Sequence, residues 1–446
     1  ITTEGLGAFG MVAGGEGAVA TNRGSVETTG NNADGIVARN GGTATNAAAG
    51  SISTEGKNAQ GMRAINGSEI TNRGTIITTG NNSQGMVASG DSTAASLLGA
   101  TITTEGIGSH GMGAVSGSSA TNSGTITTSG NDAYGMGANL GSTITNTGTG
   151  VIVTTGLRGF GMAASGDSTA LNQGTITTSG AGAHGMAATA VSSADNTGSI
   201  TTGGTDAIGM VADGAGSYAS NSGSILTTGI HAAGMAARSG AAASNSGSIT
   251  TQGQSSSGMA ASGGGSATNT ASGTIATSAR FASGMEAWDT GSIATNAGSI
   301  ATSGDQAIGM SAGEGGSAYN SGTIATTGDY AHGMSGGDDG FLENTGSITT
   351  SGYRAFGMLA SESSQANNLS SESILTTGDG AHGMVANYGS TAENSGSITT
   401  TGEGAYGMFA DNSSTALNRA AGTIVTTGED SYGMVASGDS TATNRG

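Results

Sequence analysis

The stretch Thr125-Ile126-Thr127-Thr128-Ser129-Gly130-Asn131-Asp132-Ala133-Tyr134-Gly135-Met136-Gly137-Ala138-Asn139-Leu140-Gly141-Ser142-Thr143-Ile144-Thr145-Asn146-Thr147-Gly148 decides the fold, because its pattern returns from one end of the chain to the other. Met112, Met136 and Met162 stand 24 and 26 residues apart, and the rest of the 446-residue chain keeps that spacing. All 17 methionines occupy the one slot after a glycine, from Met11 to Met434; Ile36 fills the slot they leave, so 17 and 1 make 18 repeats. A bulky residue type confined to one register must meet the same surroundings every time. That requires a solenoid, in which each repeat stacks on the last.

Each repeat reads as three short strands. Thr125-Ile126-Thr127-Thr128 is β-branched and alternating, the pattern of a half-buried strand. Its isoleucine slot runs from Ile1 and Val26 to Ile424, and a threonine follows two residues later in every copy. A period of two places both on one face, so they point inward, with the threonine hydroxyls expected to bond along their own column. Between them stand residues as different as Glu27, Thr127, Val153 and Ala276, as on a solvated face. Gly130 closes the strand, a slot that is glycine in every repeat except Ala279, and a polar corner follows. Met136 then fills the core with a flexible side chain. The Ala138 slot is alanine in all repeats but Gly336. A third segment ends on Asn146, whose slot is asparagine from Asn22 to Asn444 with Ser96 as the exception. Asparagine tolerates left-handed corners and its amides can ladder through stacked sheets. The 26-residue repeats take their two extra residues at one place, after Asn46, Ser96, Asn146, Asn269, Asn368 and Asn418.

The expected fold is therefore all-β: a single-stranded parallel β-helix of 18 coils of 24–26 residues, three short strands per coil. Coils of that length favour a right-handed helix. Residues 1–446 read as one continuous solenoid without capping segments, a segment of a longer chain, and would extend roughly 85 Å at ~4.8 Å per coil. Collagen is excluded, since proline is absent and glycine, at 87 residues, has no period of three. Disorder gives no reason for fixed slots.

Thirty acids against 11 basic residues, a net charge of −19, exclude nucleic acid and anionic membrane surfaces as partners. Without cysteine there is no disulfide or thiolate chemistry. No apolar run reaches the ~20 residues of a membrane span, and no catalytic, cofactor or metal constellation stands out. The histidines argue against a metal centre: His110, His184, His332 and His382 all occupy the slot before Gly-Met. That slot gives two runs of rings, His110-Tyr134-Phe160-His184 and His332-Phe356-His382-Tyr406-Tyr432, one coil apart and so placed to stack. Because the slot also accepts Asp34, it is expected to face solvent. The second run, with the lone Trp288 beside Arg280, Glu286 and Asp289, forms the candidate contact surface. Corner acids such as Asp305, Asp329 and Asp379 read as solubilising charge.

The repeat unit at 125–148, with Gly182-Ala183-His184-Gly185-Met186 and Ala392-Glu393-Asn394-Ser395-Gly396-Ser397-Ile398, resembles the passenger repeats of bacterial autotransporter adhesins. The likeness covers all the coils. It implies export through an outer membrane and display at the cell surface or release, as a structural or adhesive rod. The partners expected are host-cell or surface glycans and proteins, or like rods associating laterally or end to end. Two other classes are a carbohydrate-active enzyme of the β-helix type and an ice-binding protein. The first needs a clustered acid site. The second needs a uniform outward threonine array, which Glu27, Glu55, Val153 and Leu226 interrupt.

Overall fold

The computed structural model describes residues 1–369 and 373–446. Among them the chain is a parallel β-solenoid of about 18 coils, with three strands per coil and no helix. The two-residue insertion after Asn368 falls on residues 370–372, outside the described part. The chain forms two compact units, Ile1–Ile225 and Leu226–Gly446.

In the first unit the type coil contributes Thr125–Thr128, Met136–Asn139 and Thr143–Asn146 to three separate sheets. Like pairs with like: Ile102 opposite Ile126, Met112 opposite Met136, Asn122 opposite Asn146. Ile126, Thr128, Met136, Ala138, Ile144 and Asn146 are buried while the residues between them face outward. The second unit repeats the scheme, with Ser347–Thr350, Met358–Ala360 and Gln365–Asn368 as one of its coils. The methionines and isoleucines of its two inward columns are buried down to Met408 and Ile398. A third inward column, mostly alanine, escaped the sequence reading. It holds Ala120, Ile144, Ala170 and Leu342, and it explains the exception at Gly336: a methyl there would press on the Leu342 side chain.

Close approach fixes two glycine columns. A Cβ on Gly130 would run into the carbonyl oxygen of Gly106 one coil earlier, and a Cβ on Gly135 into the Ile152 methyl one coil later. Neither has a positive φ, so space, not backbone conformation, demands the glycine. Left-handed backbone falls instead on the second corner residue, Asn32, Asn82 and Asp132 at φ 52–55°, where asparagine and aspartate are tolerated best.

Two expectations are corrected. The buried threonine hydroxyls do not bond along their column; each donates to a carbonyl five residues ahead in its own coil, as Thr78 does to Ser83 (2.7 Å) and Thr350 to Ala355 (2.6 Å). The sheet carbonyls above and below are already engaged by backbone N–H groups, so the turn carbonyl is the acceptor left within reach. The asparagines do not sit in left-handed corners. They lie in extended strands, and their role is the amide ladder: Nδ2 of Asn122 donates to Oδ1 of Asn146 (2.9 Å), and Asn146 to Asn172 (2.8 Å). In the second unit Asn296, Asn320, Asn344 and Asn368 bond likewise at 2.8 Å.

Ser96 breaks this ladder, and its buried hydroxyl has no partner. The break is compensated locally. In other insertion coils Gly50, Gly150, Gly273 and Gly422 stand four residues after the asparagine, where a Cβ would strike its Oδ1. After Ser96 that residue is Ala100. Ser96→Asn alone is expected to destabilise, because the new amide meets the Ala100 methyl. Ser96→Asn with Ala100→Gly restores two amide bonds and should stabilise by about 1 kcal/mol. A denaturation double-mutant cycle reads the coupling.

Candidate functional site

The slot before Gly-Met is less open than expected. Asp34 is only 2% exposed, and most rings in the slot are half-buried. The slot lies immediately before the methionine strand, so each side chain packs flat on its neighbours one coil away. In the first unit His110, Tyr134, Phe160 and His184 stack at centroid separations of 4.6, 5.0 and 4.8 Å. In the second, His332, Phe356, His382 and Tyr406 stack at 4.7, 5.0 and 4.6 Å, within 17° of parallel. Tyr432 continues the run but tilts by 52° and is 58% exposed.

Polar members of the slot do a second job. The backbone N–H of Phe356 donates to Nδ1 of His332 (3.0 Å), and that of Tyr406 to Nδ1 of His382 (2.9 Å). In the first unit His110 and His184 accept in the same way from Tyr134 and Ile208. Asp34 and Gln60 accept from the N–H groups of Gln60 and Gln84. Accepting at Nδ1 requires a neutral ring, and burial holds His110, His332 and His382 at a pKa of about 4. At His382 the Arg354 charge adds to the depression. Corner acids cap in a related way: Asp305, Asp329 and Asp379 accept the N–H groups of Asp329, Tyr353 and Glu403. They are bonded as well as solubilising.

The surfaces beside the two ladders differ. The first unit has a groove of about 400 Å³ floored by Gly113, Gly137 and Ala163 and walled by Tyr134 and Phe160. In the second unit the outward column of the methionine sheet ends in Leu359, Val385, Phe409 and Val435, after Glu286, Ser311 and Ser335. Phe409, which the sequence reading missed, packs its ring 5.6 Å from His382 and 5.9 Å from Tyr406. Its signal was available: it is the one aromatic residue directly after a Gly-Met pair. Trp288 is not brought to the ladder. It is 41% exposed, and its ring covers Gly313 of the next coil. Among the described residues no three His, Asp or Glu side chains gather as metal ligands, and no helix is long and apolar enough to cross a membrane.

A family model described as the BigA third pectate lyase-like domain matches five overlapping stretches, residues 36–150, 78–190, 132–231, 178–354 and 352–446. The chain belongs to the BigA third pectate lyase-like domain family. That family's repeat accounts for all but the first coil and part of the second. No curated protein matches. Among solved structures, one described as the cryo-EM structure of the Vag8–C1 inhibitor complex shares the fold. Its TM-score is 0.52 at 17% identity, covering 96% of this chain and 99% of that one. Together with the family match, this supports the passenger-type β-helix that the repeats resemble.

The depressed histidines make stability pH-dependent. An unfolded histidine takes up its proton near pH 6.5 and the folded ring only near 4. The unfolded state therefore binds more protons in that window, and stability falls as pH drops through it, by up to about 3 kcal/mol per ring. Replacing His110, His332 and His382 with glutamine keeps an acceptor, as at Gln60, but removes the proton. Urea unfolding of that variant between pH 7.5 and 4 should be flatter than that of the natural chain.

Proposed function

We propose that this chain is the displayed β-helical part of a surface-exposed or secreted bacterial protein, and that it attaches to a protein partner through the ring ladder of its second unit. The observation that carries this reading is the ledge formed by Phe356, His382, Tyr406 and Tyr432 with Leu359 and Phe409 alongside. Large, rigid rings beside aliphatic side chains supply contact area with little ordering entropy to lose. The resemblance to autotransporter passengers supports the extracellular setting. A solved relative in fold is described in complex with C1 inhibitor, which supports a protein as the partner class over a glycan or a second copy of this chain.

Phe356→Ser with Tyr406→Ser is expected to lower adhesion of bacteria displaying the chain to cultured cells by about tenfold, with sheet content unchanged by circular dichroism. Unchanged adhesion would remove the ladder from the reading.

A second reading is enzymatic, favoured by the family's pectate lyase-like description. A polysaccharide-cleaving site needs unlike acidic and basic groups converging on the scissile bond. Release of unsaturated products from polygalacturonate by the purified chain would establish that reading in place of the first.

A further inference from the structure

The second corner residue of each coil supplies an internal comparison. Arg158 and Arg354 occupy this slot in separate units, both with left-handed backbone (φ 52° and 49°). Each donates its backbone N–H to the coil that follows, and each stem lies over a glycine there, Gly182 and Gly380. Their guanidinium partners differ. Arg158 is held in two-pronged fashion by Asp132, the same slot one coil earlier, at 2.8 and 3.1 Å. The residue one coil before Arg354 is Tyr330.

Nothing replaces the missing carboxylate. Among the described residues, no Asp or Glu forms an ion pair with Arg354. The corner acids of the two flanking coils, Asp329 and Asp379, each have an oxygen committed to a backbone N–H. Instead the guanidinium lies 5.3 Å over the Tyr353 ring, and Tyr353 meets Tyr330 edge-on at 5.7 Å. Stacking on a ring preorganises arginine and leaves its N–H edge free for a planar anion. Tyr330 and Tyr353 remain 42% and 44% exposed. Tyr330 holds φ 55°, a conformation that asparagine or glycine adopts more easily. Exposed tyrosines around a preorganised arginine have the composition of a protein interface centre.

We propose that Arg354, framed by Tyr330 and Tyr353, takes an Asp or Glu carboxylate of a partner protein docked on the adjoining ladder, standing in for the internal Asp132 of the Arg158 pair. The proposal rests on the ladder reading above and names the chemistry of its partner. Protein is favoured over an acidic glycan because the Tyr353 face that a sugar would stack on is already covered by the guanidinium. Phe356 of the ladder stands two residues from Arg354 in the same coil.

The test uses the full chain with arginine side-chain nitrogens labelled for NMR, in 0.15 M salt, where surface charge is screened beyond roughly 8 Å. The probe is a synthetic peptide alternating glutamate with leucine. The expected result is saturable movement of the Arg354 Nε–H signal, with the Arg158 signal still. Affinity should fall at least about tenfold in Arg354→Gln, the worth of one charge-assisted pair, and be unchanged in Arg158→Gln. Tyr330→Asp should abolish binding while the fold is kept, because it rebuilds the internal pair seen at Asp132–Arg158. Unaltered binding in both Arg354→Gln and Tyr330→Asp would overturn the proposal. So would a response to polygalacturonate but not to the peptide. If Phe356→Ser with Tyr406→Ser loses the peptide while Arg354→Gln keeps it, the ladder reading stands and this one fails; if neither loses it, both fail.

Discussion

A column of buried asparagine amides is the interaction on which the structure most depends. A side-chain amide inside a protein must find both a donor and an acceptor. Away from the Ser96 break, Nδ2 reaches the Oδ1 one coil on, as from Asn394 to Asn418 at 2.8 Å. That bond is satisfied only if the neighbouring coil places the same residue at the same height. The ladder therefore fixes register where apolar columns alone would tolerate slippage. Isoleucine and methionine supply burial; the amides specify which coil position meets which. The Ser96–Ala100 pair shows how tightly the surroundings are built around the amide, since the alanine occurs where the amide is missing.

The same logic extends to the half-buried slot before Gly-Met. In several coils its backbone N–H points at the side chain of the preceding coil and that side chain accepts, as His332, Gln60 and Asp34 do; in others the slot carries a ring that stacks on its neighbours. Aromatic and polar residues alternate there without disturbing the stack because both are flat enough for a spacing near 4.8 Å. The accepting histidines must stay neutral, which couples the stack to pH. The outward columns carry no such requirement. They are where the two units diverge, towards a small-residue groove in one and a ledge with Leu359 and Phe409 in the other.

Some features were legible from spacing and some were not. The isoleucine, methionine and asparagine columns could be read because translational stacking turns sequence period directly into neighbourhood. The two ring runs were legible for the same reason. The alanine-rich third column was overlooked, since alanine is common on every face of this chain and marks no register by itself. Exposure of the ring slot was misjudged from Asp34, whose carboxylate proved to be buried, accepting a backbone N–H and lying 3.6 Å from Arg63. The glycine that Trp288 covers lies 25 positions away (313 − 288 = 25) in the next coil, a neighbour that its own stretch of sequence did not show.

The amino-acid sequence by itself determined that this is a stacked parallel solenoid, that its isoleucine, threonine and methionine columns face inward, and where the two-residue insertions enter. Repetition alone carries that information, since identical units in identical slots leave one packing solution. Only the tertiary structure decided the destinations of polar atoms: threonine hydroxyls to turn carbonyls, histidine Nδ1 to the next coil's backbone, Asp132 but not Tyr330 to an arginine. Those choices depend on distances and directions between atoms, five residues apart for the threonines and roughly 25 for the others, and a pattern of residue types does not contain them.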